Sequence, residues 1–260
     1  MQVVILAGGQ KSALSGESEG IPKPMADLGG KPLLWHIMKS YSAYGINEFI
    51  ICGGYKIETI KEYFMDFYIY ESDITVDLQN NSVKIHKERT EDWKVTVVDT
   101  GLETVTGTRI KNIQEYIKED NFVVTYGDCL SNINISEMTK QHETDGKLVT
   151  VAMARPTGRK ELYTINTENG MLEDMNAGAS NMNAWVNANC YILHKDVLEY
   201  LQGNYDIEKQ LLKEMSHLNE LSVYRHDGYW TAVETKRDLI EAEVLWNKGV
   251  APWITEKAYV

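Results

Sequence analysis

The sequence predicts an α/β fold: a mixed, mainly parallel sheet with helices on both faces and a small antiparallel extension. Three observations carry this. The short apolar runs Val3-Val4-Ile5-Leu6, Phe49-Ile50-Ile51-Cys52 and Phe122-Val123-Val124-Thr125-Tyr126 read as strands buried on both faces. Each runs into glycine, at Gly8-Gly9, Gly53-Gly54 and Gly127. Stretches of helical spacing follow the first two, so the chain opens β-α-β-α, the order of a parallel sheet with helices on its faces.

The elements follow in order. Pro32 opens a helix with the stripe Leu33, Leu34, Ile37, Met38 and Tyr41, and Gly45 stops it. Ile57, Ile60, Tyr63 and Phe64 repeat the helical spacing. Residues 72–98 alternate, with a turn at Asn80-Asn81, and predict short antiparallel strands. Ile110, Ile113, Tyr116 and Ile117 predict a helix. A helix from Asn134 to Asp145 has Asn134 and Glu137 at capping-box spacing and Gly146 after its end. Strands are predicted near 148–154, 162–166 and 186–193, helices near 195–201 and 206–217, strands near 221–225 and 229–233, and a last helix at 235–247.

Composition narrows the function classes. Of 260 residues, 43% are apolar, enough for a core rather than a disordered chain. The net charge of −12 disfavours a nucleic-acid partner, because counterion release needs clustered Lys and Arg. No run approaches the ~18 apolar residues of a membrane span, and the N-terminus has no secretory pattern, so the expected location is cytoplasmic. Cys52, Cys129 and Cys190 are widely spaced, without a disulfide or zinc pattern. His86, His142, His194, His217 and His226 lack metal spacing, His36 reads as a packed core or interface residue, and Cys129 as a small buried side chain. Tyr44, Tyr55, Tyr63, Phe64, Phe67, Tyr68 and Tyr70 crowd one region, as core or as a subunit contact.

Ligands of open α/β sheets bind at the carboxyl ends of the strands. Two places there could carry chemistry. Leu6-Ala7-Gly8-Gly9 leads into a polar loop and Pro22-Lys23-Pro24, where freed backbone amides and a lysine can hold phosphate; a turn glycine pair with a solvated lysine reads the same way. Tyr126-Gly127-Asp128 ends a buried strand with an aspartate placed to hold Mg²⁺, or with an Asx turn.

Val4-Ile-Leu-Ala-Gly-Gly9, Pro22-Lys-Pro-Met25 and Gly29-Gly-Lys-Pro-Leu-Leu-Trp-His-Ile-Met38 together resemble the sugar-1-phosphate nucleotidyltransferase family, on its glucose-1-phosphate cytidylyltransferase branch. Val97-Val-Asp-Thr-Gly101, Thr106-Gly107, Arg109, Thr125-Tyr-Gly-Asp128 and Ala251-Pro-Trp253 extend the match nearly end to end. The resemblance implies a Rossmann-like (GT-A-like) nucleotidyltransferase fold in one domain, 1–260, with a nucleotide-binding half of about 1–130 and an acceptor-binding and oligomerisation half of about 131–260. It implies transfer of a cytidylyl group from CTP to a phosphorylated acceptor, release of pyrophosphate, a Mg²⁺ cofactor and a homo-oligomer. By residue, it implies Lys23, Asp128 and Arg109 as catalytic and Asp128 and Glu234 as metal ligands. Leu6, Ala7, Gly8, Gly9, Lys11, Ser12, Lys23, Arg109 and Gly127 would meet the nucleotide, and Tyr126, Asn187 and Asn189 the acceptor.

The departures from the family pattern lie at the chemistry. The family loop Gly-Gly-x-Gly-Thr-Arg-Leu reads here Gly8-Gly9-Gln10-Lys11-Ser12-Ala13-Leu14, with Lys11 for a glycine and Ala13 for the arginine. Cys129 replaces the second glycine of Gly-Asp-Gly, Ala177-Gly178-Ala179 stands for Glu-Lys-Pro, Lys160-Glu161 for Phe-Gly, and Asn187-Ala188-Asn189 for Asn-Gly-Gly. Asn132 occupies an acidic position. Two readings follow: a cytidylyltransferase with a changed acceptor, or a catalytically impaired paralogue acting as a nucleotide-binding regulatory or structural subunit.

Overall fold

The computed structural model describes residues 1–9, 21–87, 91–155, 163–165, 172–174 and 184–254. The strands are β1 (Gln2–Leu6), β2 (Asp27–Leu28), β3 (Lys31–Pro32), β4 (Glu48–Gly53), β5 (Asp73–Asp77), β6 (Ser82–Lys87), β7 (Lys94–Asp99), β8 (Asn121–Tyr126), β9 (Cys129–Ser131), β10 (Val149–Ala154), β11 (Tyr163–Ile165), β12 (Leu172–Asp174), β13 (Ala184–His194), β14 (Leu221–His226) and β15 (Trp230–Ala232). The α-helices are α1 (Leu33–Ser42), α2 (Ile57–Glu71), α3 (Thr106–Asn112), α4 (Ile135–Asp145), α5 (Leu212–His217) and α6 (Lys236–Asn247).

The central sheet runs β14-β10-β13-β8-β1-β4-β7, with β11 and β12 attached to the first residues of β13. β1, β4, β7 and β8 are parallel to one another, and their order is Rossmann-like. All five residues of β1 are buried, as a strand covered on both faces requires. Its alternation divides the core. Val3 and Ile5 pack with α1, α4 and α6; Val4 and Leu6 pack with α3 and α5. Each such buried aliphatic side chain contributes about 1.5–3 kcal/mol.

The local signals hold at several ends. Asn134 accepts the Glu137 backbone N–H and Gly146 closes α4 in the left-handed region, and Thr235 and Asp238 form a capping box on α6. Other expectations are corrected. The third strand of the 72–98 stretch is not antiparallel: β7 pairs in parallel with β4 in the main sheet, leaving β5 and β6 as a two-stranded hairpin. The helix read over Ile110, Ile113, Tyr116 and Ile117 is instead Thr106–Asn112, followed by a 3₁₀ turn at Gln114–Tyr116, and α2 runs on to Glu71. Residues 195–199 form a 3₁₀ helix, and the helix read at 206–217 opens with a π-helical turn, Ile207–Leu211. β15 falls within the strand read near 229–233, whereas its partner β9 and the small hairpin β2–β3 have too few residues for a periodic signal. No helix among the described residues is long and apolar enough to cross a membrane.

His36 is fully buried on α1. Its Nε2 lies 2.8 Å from the Leu28 carbonyl, and its Nδ1 accepts from Trp253 Nε1 at 3.3 Å, which fits a neutral ring. Burial pushes its pKa from 6.5 down to about 4. His142, against Thr150 Oγ1 and Asn121 Oδ1, is likewise lowered from 6.5 to about 4, by burial and then by His194. Below pH 6.5 the unfolded chain takes up protons that the folded chain refuses. The stability present above pH 6.5 is therefore lost progressively as the pH falls towards about 4. Urea midpoints measured across that range are expected to drop; a level midpoint would show that both rings protonate without penalty.

Candidate functional site

The carboxyl ends of the parallel strands place the expected residues together. Chain order reverses between β1 and β8, which makes their ends a topological switch point. Leu6 and Ala7 lead from β1; Ala7 donates its N–H to the Cys52 carbonyl, and Gly127 donates to the Leu6 carbonyl. A Cβ on Gly127 would lie 2.8 Å from Pro24 Cγ, so only glycine lets the end of β8 meet the Pro22-Lys23-Pro24 segment. Lys23–Met25 is a 3₁₀ turn with Pro24 buried, which fixes where the lysine starts.

From that turn the Lys23 Nζ donates to Asp128 Oδ2 at 2.8 Å. Burial works to lower the Lys23 pKa, but Asp128, and after it Glu234 and Cys129, outweigh it, and the pKa is raised. The ammonium thus sits in the field of both expected metal carboxylates. The Asp128 carbonyl accepts from Val233 N–H, and β9 pairs with β15, which brings the Glu234 segment alongside Asp128. Lys11, Ser12 and Ala13 lie outside the described residues, as do Lys160-Glu161 and Ala177-Gly178-Ala179.

Arg109 is only 2% exposed. Its Nη1 lies within hydrogen-bond reach of Thr100 Oγ1 (2.7 Å), Gly101 O (2.7 Å) and Gly53 O (3.1 Å), and its Nη2 of Leu102 O (3.1 Å). A Cβ on Gly8 would stand 2.1 Å from that Nη1. The guanidinium therefore lies directly beneath Gly8, bonded to the loops that follow β4 and β7. Burial lowers its pKa, partly offset by Cys52 and Asp99. In this arrangement it supports the glycine loop from below.

The expected acceptor residues converge from the other side. Tyr126 donates its hydroxyl to Glu208 Oε1 at 3.0 Å. Glu208 lies on the π-helical turn, and Asp206 caps that turn through the Lys209 N–H. Asn187 donates to Tyr191 Oη at 2.6 Å and accepts the Asn189 N–H at 2.9 Å. Asn189 has φ +54° in the middle of β13, where the pairing with β10 slips, a bulge that asparagine tolerates. Its side-chain amide reaches Cys129 Sγ at 3.6 Å, and that thiol lies 3.5 Å from Asp128 Oδ1. Glu208 and the Cys129–Asn189 contact were not signalled by the residues alone, since no spacing rule joins positions brought together only by the sheet.

A switch-point crevice holding a glycine loop, a lysine and two carboxylates defines a protein that handles the phosphates of a nucleotide. The Nucleotidyl transferase family model matches residues 2–248. The chain is 38% identical over 257 residues to a glucose-1-phosphate cytidylyltransferase of Salmonella typhi, covering 98% of this chain and 99% of that protein. It is 39% identical to a probable glucose-1-phosphate cytidylyltransferase of Bacillus subtilis, covering 97% and 99%. The crystal structure of HddC from Yersinia pseudotuberculosis shares the fold with a TM-score of 0.73 at 22% identity, covering 94% of this chain and 99% of that one. The chain belongs to the sugar-1-phosphate nucleotidyltransferase family.

Proposed function

We propose that this protein transfers a cytidylyl group from CTP to a sugar 1-phosphate, such as glucose 1-phosphate, or to another phosphorylated small molecule, in the cytoplasmic supply of surface-polysaccharide precursors. The convergence of Lys23, Asp128 and Glu234 at the switch point carries this reading, in a chain alike end to end to the cytidylyltransferase of Salmonella typhi. The nucleotide would occupy the half of about 1–130 and the acceptor the half of about 131–260.

The site fits Mg²⁺. Asp128 and Glu234 offer oxygen donors: Asp128 holds the Lys23 ammonium at 2.8 Å, and Glu234 adds to the negative field around it. A hard divalent ion takes one or two such carboxylates and completes its shell with water and phosphate oxygens. When bound, Mg²⁺ supplies neutralisation of the triphosphate charge.

The chain's own residues supply alignment. Gly8 and Gly9 let backbone amides approach the phosphates, and Arg109 beneath Gly8 keeps that loop in place. Lys23 draws charge off the triphosphate. Tyr126, Asn187 and Asn189, held by Glu208, Tyr191 and Cys129, would line the acceptor side with uncharged polar groups. An acceptor phosphate oxygen then forms a bond to the α-phosphorus, the bond from that phosphorus to the bridging oxygen breaks, and its electron pair leaves on pyrophosphate. No covalent enzyme intermediate is required, so catalysis rests on positioning and charge stabilisation.

Calorimetric titration of CTP in the presence of Mg²⁺, with UTP and ATP alongside, tests the nucleotide half. Micromolar CTP binding is the expected result, followed by pyrophosphate release in a screen of phosphorylated acceptors. Failure to bind any nucleotide would overturn the transferase reading and leave a family fold retained for assembly or for another ligand.

A further inference from the structure

Tyr126 is half-buried at the end of β8, with Asn187 and Tyr191 on the neighbouring strand β13. Its hydroxyl gives its single proton to Glu208 Oε1 at 3.0 Å. Asn187 is engaged as well, donating to Tyr191 Oη at 2.6 Å and accepting the Asn189 N–H. What Tyr126 has left to offer a ligand is a lone pair, so the ligand must supply the donor.

The position of Glu208 is built into the fold. It lies on the π-helical turn Ile207–Leu211, a rare form that occurs often at functional sites. The turn is fastened to the start of α3. Ile207 donates its N–H to Thr106 Oγ1 at 3.0 Å, Thr108 donates its N–H to the Tyr205 carbonyl at 3.2 Å, and Tyr205 donates its N–H to Thr108 Oγ1 at 3.1 Å. A Cβ on Gly107 would stand 2.6 Å from the Tyr205 carbonyl oxygen, so the two segments meet backbone to backbone. The carboxylate is thus held in place before any ligand arrives.

Its charge gives the crevice two unlike ends. Every substrate of nucleotidyl transfer carries phosphate. Lys23 draws phosphate towards the Asp128 side, whereas Glu208 and Asp206 place negative charge beside Tyr126 and repel it there. We propose that Glu208 is a positioning residue that sets which end of the acceptor lies against Tyr126: it holds Tyr126 ready to accept a hydrogen bond from a sugar hydroxyl, and it keeps anionic groups away. The acceptor so selected is a sugar 1-phosphate with neutral, hydroxylated ring substituents, and a sugar that carries a carboxylate is refused. This rests on the cytidylyl-transfer reading.

Calorimetry tests it without turnover. Glucose 1-phosphate and glucuronic acid 1-phosphate are each titrated into protein holding Mg²⁺ and a CTP analogue whose α and β phosphates are joined through methylene. The wild type is expected to bind glucose 1-phosphate at least about 100-fold more tightly than glucuronic acid 1-phosphate. Glu208→Gln is expected to weaken glucose 1-phosphate about tenfold, to strengthen glucuronic acid 1-phosphate, and to leave the affinity for the CTP analogue unchanged. General damage to the site cannot move the two sugars in opposite directions. Tyr126→Phe is expected to weaken glucose 1-phosphate by a similar factor, and the double variant no more than either alone, because Glu208 acts through Tyr126. Equal binding of the two sugar phosphates by the wild type, binding of neither, a parallel loss of both in Glu208→Gln, or multiplied losses in the double variant would overturn the proposal. The transfer reading fails by a different result: selective sugar phosphate binding as expected, with no pyrophosphate released from CTP itself.

Discussion

Asp128→Asn is expected to abolish Mg²⁺-dependent pyrophosphate release while leaving the fold intact. The substitution keeps the shape of the side chain and removes the charge. Three consequences follow at one atom. The carboxylate proposed as a metal donor is lost. The Lys23 ammonium loses the partner that holds its pKa up. The charge opposed to the triphosphate then no longer has a fixed place to be neutralised. Loss of one pre-aimed charge-stabilising group typically costs ~10²–10³ in rate. Stability should change little, because the Lys23–Asp128 pair is partly exposed, its side chains retaining 28% and 19% of their surface. Single-turnover pyrophosphate release, with a denaturant curve beside it, checks both halves. A variant that keeps rates within about tenfold of wild type would remove Asp128 from the metal site.

Arg109→Leu is expected to do the opposite first: to destabilise the fold, and through the fold to loosen nucleotide binding. Its guanidinium reaches the carbonyl oxygens of Gly53, Gly101 and Leu102 together with the Thr100 hydroxyl. The Gly53 carbonyl and the Thr100 hydroxyl keep each other, so the Gly101 and Leu102 carbonyls are the ones that lose this donor; at about 1–3 kcal/mol for each buried polar group left unpaired, the total should reach about 2–6 kcal/mol. Arg109→Lys should rescue little, because an ammonium cannot reproduce the guanidinium fork. Gly8→Ala should mimic the defect from above, since its Cβ would stand 2.4 Å from Arg109 Cζ, and a clash there must displace either the loop or the arginine. If Arg109 served only to touch the base, all three variants would weaken CTP binding and leave the urea midpoint unmoved.

How much of this was legible in the sequence depended on range. The buried strands and the glycines at their ends could be read because each is a local signal: an apolar run, then a residue that permits a turn or close approach. The same signals placed Gly8 and Asp128 at the carboxyl edge. The Lys23–Asp128 contact spans 105 positions, and no local signal reports it; the family resemblance named the two residues without joining them. The direction of β7 was misread because half-buried alternation marks a strand without saying which neighbour it joins. Arg109 looked like a residue free to meet a ligand. Its acceptors come from the loops after β4 and β7, and no periodicity reports such a cage. Glu208 depends on a π-helical turn that has no sequence signature. Asn189 was singled out by position, but its left-handed backbone and its reach to Cys129 emerge only once β13 is bulged against β10.

The bond between Trp253 and His36 has a consequence for how the chain is made. These residues are 217 positions apart, and the indole completes the wall around the histidine on α1. At ~5–20 residues per second, a ribosome needs about 10–40 s to travel from one to the other. Throughout that interval the first helix is out while its covering residue is not yet synthesised. Nascent chains of this protein therefore carry an open apolar face early in translation, the kind of surface on which chaperones act, and the finished packing waits for the Ala251-Pro252-Trp253 segment to arrive.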